Sequence, residues 1–76
     1  MSVLKRFTAV DFRPGDMIVR ETPSLCWLIL EVEIVPPAQI QYIAIDANIK
    51  GSPPFTMIIS RVYQWPLQFK LLRKDE

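Results

Sequence analysis

The chain has no histidine among its 76 residues. That removes the side chain that most often acts as general base, the commonest metal ligand, and every Ser-His or Cys-His nucleophile. The single cysteine, Cys26, excludes an internal disulfide and fits a reducing compartment. With only two glycines a phosphate-cradling loop cannot be built, and without histidine the zinc-finger spacing is out of reach. Long hydrophobic runs are missing as well. The longest, residues 25–35, is interrupted by Glu31 and Glu33, and a spanning helix needs about 20 apolar residues. Residues 1–6 place their charges behind a short apolar pair with no apolar region after them, so no secretory leader is expected and the expected home is the cytoplasm. Nine Lys+Arg balance eight Asp+Glu to leave +1, which excludes a strongly basic tail or an acidic solvating one.

What is present is apolar surface. Half the residues are hydrophobic and the mean hydropathy is +0.18, the opposite of a disordered composition. The length suits one small domain, 1–76, with one core. Seven prolines cut the chain into short pieces rich in Ile, Val, Leu, Phe, Tyr and Trp, which is strand composition. Period two dominates where the pieces are long: Leu67, Phe69 and Leu71 alternate with Gln68 and Lys70. This patterning predicts five strands, at 16–21, 25–35, 40–46, 55–62 and 67–73. The first eleven residues form either an extra edge strand or an arm. Residues 63–66 have the length for one 3₁₀ turn. The expected fold is all-β, a five-stranded small barrel, because closure removes exposed strand edges without needing a helix.

The segment Phe12-Arg-Pro-Gly-Asp-Met-Ile-Val19, followed by a long second strand, a third, a fourth, a tight turn and a short fifth, resembles the small Src-homology-3 type β-barrel superfamily. The resemblance covers about residues 12–73 and is one of layout. It implies the fold, and binding in place of catalysis. The Ala-Leu-Tyr-type strand and acidic loop of the peptide-binding signalling members are missing from their expected places.

Side chains that could carry chemistry each have an ordinary structural role available. Cys26 lies in an apolar run with no neighbouring cation to lower its pKa, and is expected to be a buried, inert thiol. Glu31 and Glu33 project from one strand face about 6.6 Å apart, a spacing that suits either a carboxylate pair or a plain solvated face. Asp16 and Asp46 fall at strand ends, where aspartate bonds local backbone. No metal site and no cofactor is expected, and the protein is not expected to be an enzyme.

Two surfaces remain. If Cys26, Leu28, Leu30, Val32 and Ile34 face inward, Trp27 and Ile29 face outward. With Tyr42 and Ile58, and with Tyr63 and Trp65 nearby, they would form an apolar stripe marking a protein interface. Trp27→Lys would then lower association without unfolding the domain. The alternative is covering of that patch by the N-terminal segment. Charge is also uneven: residues 1–20 carry +2, 21–46 carry −4 and 47–76 carry +3. Arg13, Arg61, Lys70, Arg73 and Lys74, near the two chain ends, could form a phosphate-binding patch for nucleic acid. The primary expectation is a non-catalytic, self-associating interaction module, an accessory protein of a microbe, phage or mobile element. Its partners would be a second copy of itself and a further protein, with no membrane; nucleic-acid binding is the alternative.

Overall fold

The computed structural model describes residues 2–4 and 6–73. Six strands, β1 (Ser2–Leu4), β2 (Met17–Arg20), β3 (Leu25–Val35), β4 (Gln39–Asp46), β5 (Phe55–Ser60) and β6 (Phe69–Arg73), form one antiparallel sheet in the order β1-β6-β2-β3-β4-β5. The all-β expectation is met, and the five anticipated strands fall where the prolines left room for them. A short extra strand at the N-terminus lies beside β6. Among the described residues no helix is long and apolar enough to cross a membrane.

The turn that launches β2 works as its residue types require. Gly15 takes φ 93°, open to glycine and strained for other residues. Its N–H donates to the Ile29 carbonyl at 2.8 Å, and the Asp16 N–H donates to the Arg13 carbonyl at 3.0 Å. The Asp16 carboxylate accepts from the Arg13 N–H at 2.9 Å, the local backbone bond expected of an aspartate there. Asp46 behaves alike, accepting from the Asn48 N–H at 2.9 Å.

Sheet faces follow from which side chains are sealed. Ile18, Ile29, Ile40, Tyr42, Ala44, Phe69 and Leu71 are buried on the inner face, and Leu25, Trp27, Val32, Phe55, Met57 and Ile59 pack against them. Ala44 sits in register between Ile29 and Phe55, a small residue between two larger ones. The predicted facing of β3 is therefore corrected: Leu25, Trp27 and Ile29 point inward, while Cys26 and Leu28 lie on the outer face. A bulge is the reason. Register shifts between Ile29 and Glu31, leaving Leu30 as the extra residue, and an extra residue reverses which parity faces the core. Val32 accordingly points inward as expected, but Leu30 and Ile34 are exposed.

The chain segments just beyond the two edge strands meet. Past β1 runs Phe7–Ala9, and past β5 runs Tyr63–Trp65. Thr8 and Gln64 form a β-bridge, with the Ala9 N–H donating to the Tyr63 carbonyl at 3.0 Å and the Trp65 N–H to the Phe7 carbonyl at 3.2 Å. These bonds occupy the backbone groups that a 3₁₀ turn at 63–66 would use internally, so none forms there. The 3₁₀ turn lies instead at Ala9–Asp11. Phe7 and Trp65 stack at this seam, centroids 5.7 Å apart.

One buried ion pair ties the launch turn to the last strand. Arg73 Nε lies 3.2 Å from Asp16 Oδ2, the two side chains 10% and 6% exposed, and Arg73 Nη2 donates to the Asp11 carbonyl. The same Asp16 oxygen thus serves a backbone N–H and a guanidinium.

Candidate interaction surfaces

Most of the predicted apolar stripe lies inside the molecule. Ile29 and Tyr42 are fully sealed and Trp65 is nearly so. Trp27 packs edge-on against Phe55 at 5.3 Å and Trp65 at 6.2 Å. Ile58 and Tyr63 are the two of the six that are exposed. The bulge and the competition of two apolar faces for one interior account for the difference. Trp27→Lys is consequently expected to unfold the protein, because it would place an ammonium among aromatic rings. Tyr42 keeps its proton: burial, and secondarily Tyr63, push its phenol up. Its hydroxyl donates to Met57 Sδ at 2.8 Å.

The outer face carries what the inner face did not take. Leu72, Met17, Leu28 and Ile45 lie in direct register across β6, β2, β3 and β4, forming one apolar row perpendicular to the strands. Val19, Cys26 and Ile43 flank it, and all seven side chains keep part of their surface in water. The signal for this row was in the sequence, as the opposite parity on strands that are apolar on both sides. Beyond the bulge the same face becomes polar: Glu31 and Glu33 are exposed opposite Ile43 and Gln41.

Cys26 belongs to the row and is half-buried, with Sγ 3.6 Å from Met17 Sδ. Burial, with a smaller contribution from the Asp46 carboxylate, pushes its thiol up. Alkylation at neutral pH should run slower than for a free thiol and accelerate when the protein is denatured. Equal rates would show that the outer face does not shield Sγ.

The basic residues do not converge as one patch. Arg73 is buried against Asp16, so it cannot meet a phosphate. Lys70 pairs with Glu21 at 3.7 Å, both exposed. Arg13 is exposed in the launch turn, and Lys74 lies outside the described residues. Arg61 lines a groove of about 590 Å³ with Thr8, Val10, Pro37, Ala38, Val62 and Gln64. Arg6 reaches the same rim, its Nη1 donating to Gln64 Oε1 at 3.4 Å. Among the described residues, no group of three or more Cys, Asp or Glu is placed to hold a metal ion.

No protein-family model, curated protein or solved structure matches this chain.

Proposed function

We propose that this chain is a non-catalytic protein-interaction module that associates with itself and with a further protein, built on a small barrel of Src-homology-3 type. The strand order supports the barrel reading. Leaving β1 aside, the sequence β6-β2-β3-β4-β5 places the last strand beside the first of a four-strand meander, and the seam at Thr8 and Gln64 joins the chain segments just beyond the two edge strands. The observation that carries the interaction reading is the apolar row Leu72–Met17–Leu28–Ile45 on the outer face. Apolar surface arranged contiguously across four strands is what a protein partner covers. Several carboxylates are engaged structurally, Asp16 with Arg73, Asp11 with Thr8 and Asp46 with Asn48, while Glu31 and Glu33 lie exposed on the polar end of the outer face.

The test is the solution mass by light scattering, from low to high micromolar protein, at about 50 and 200 mM salt, a span that weakens multi-phosphate contacts strongly. We expect a mass above the 8.8 kDa of one chain, rising with concentration and little changed by salt. A strict monomer at the highest concentration overturns self-association. Labelled oligonucleotides titrated under the same two conditions address the other class. Binding that collapses between them would move the working surface to Arg13, Arg61 and Arg6.

A further inference from the structure

The two edges of the sheet are unlike. β1 is three residues long, and a short edge gives little to pair with. β5 has six residues, Phe-Thr-Met-Ile-Ile-Ser, with no charge and no proline. Its register with β4 runs unbroken from Ala44↔Phe55 to Gln39↔Ser60. Natural edge strands are commonly guarded by charge, proline, a bulge or shortness. Within its six residues this strand has none of those guards, and Pro54 stands only at its entry.

Its free hydrogen-bonding groups can be assigned. Just past the strand, the Arg61 N–H donates to the Ala38 carbonyl at 3.0 Å, one step along the register that pairs Ser60 with Gln39. Bonded pairs alternate along an antiparallel ladder, so Phe55, Met57 and Ile59 bond β4. Pro54, Thr56, Ile58 and Ser60 then turn their main-chain groups to the open edge. The Ser60 carbonyl agrees with this: it accepts from the Tyr63 N–H at 3.0 Å, away from β4.

We propose that two copies of this chain join edge to edge through β5, antiparallel about a two-fold axis at Met57, a contact that rests on the self-association proposed above. In that register Thr56 of one copy lies opposite Ile58 of the other, and both exchange N–H and C=O bonds. Ser60 lies opposite Pro54. There the Ser60 N–H meets a free proline carbonyl, while proline has no N–H to offer and the Ser60 carbonyl is already taken. The one donor this ladder lacks therefore faces the one acceptor it does not need. That self-complementarity selects a second copy as the occupant. The contact is isologous, and it sets the two outer apolar rows on the same side of one continuous sheet. Ile58, 52% exposed in a single copy, gains Thr56 of the other copy as its cross-strand neighbour.

The experiment combines a guard residue with a register test. Ile58→Lys is expected to raise the dimer dissociation constant by about tenfold or more while leaving the strand circular dichroism unchanged. In a Cys26→Ala background, Thr56→Cys and Ile58→Cys variants are oxidised separately and as a mixture. Paired residues in this register fall within disulfide range, so a cross-linked dimer is expected from the mixture and not from either variant alone. A wild-type chain that stays monomeric overturns both this contact and the self-association reading. A dimer that survives Ile58→Lys without cross-linking in the mixture overturns the edge contact alone. If Leu28→Glu abolishes such a dimer, the interface belongs to the outer row.

Discussion

Arg73→Ala is expected to lower the unfolding free energy by about 3–5 kcal/mol, the cost of leaving a buried charge without its counterion. The whole domain has only about 4–11 kcal/mol to lose, at ~0.05–0.15 kcal/mol per residue over 76 residues. The substitution therefore removes at least about a quarter of the domain's stability, and all of it if the domain sits at the low end of that range. The reason lies in Asp16, whose side chain is 6% exposed and pairs with Arg73 Nε. Truncating the arginine also strips a donor from the Asp11 carbonyl. Urea titration followed by circular dichroism reads the effect. The double variant Asp16→Leu with Arg73→Leu should recover part of the loss, since removing both charges removes the desolvation penalty. A single-variant change under about 1 kcal/mol, the size typical of exposed pairs, would mean that water reaches this pair.

Trp65→Ala should cost a comparable amount, about 3–5 kcal/mol. Its ring meets those of Phe7, Phe12, Trp27, Tyr63 and Phe69, with centroids 5.1 to 6.2 Å away. No single neighbour can move in to fill that volume, because the rings come from separate elements. Trp65→Phe is the informative companion. The indole Nε1 is buried without a hydrogen-bond partner among the described residues, so exchanging it for phenylalanine removes a desolvated donor along with some volume. The phenylalanine variant should retain most of the stability, and urea midpoints for both variants measure the difference. If both lose the same amount, ring area alone is not what Trp65 supplies.

The strands themselves were legible because prolines bracket them and because β-branched and aromatic residues fill them. β3 matches its expected limits residue for residue. Facing was not legible, and the physical cause is specific. On β3 and β4 both parities are apolar, so alternation names two faces without saying which is inside. The bulge at Leu30 then breaks the one-register assumption that any parity argument needs. Arg73 shows a signal present but overridden by residue type. Alternation puts Phe69 and Leu71 on one face and Arg73 with them, yet an arginine invites a surface assignment. Its partner Asp16 lies 57 residues earlier, a separation at which no local pattern announces a pair. The open β5 edge carries no local sequence signal for a different reason. Strand order decides which strand is left unpaired, and composition is silent on order.

The seam between residues 7–9 and 63–65, and the Asp16–Arg73 pair, bear on how the protein is made. Ribosomes deliver the N-terminus first, at about 5–20 residues per second, so the 57 positions from Asp16 to Arg73 take about 3–11 s to appear. As Phe7, Ile18, Ile29 and Tyr42 emerge in turn, Trp65, Phe69 and Leu71, which complete the core around them, are still to be made. Pairings this distant in the chain also form slowly once available. The core thus stays open until residues 65–73 have emerged. Until then the apolar side chains of the earlier strands stand without their partners, the kind of exposed surface that favours aggregation over folding.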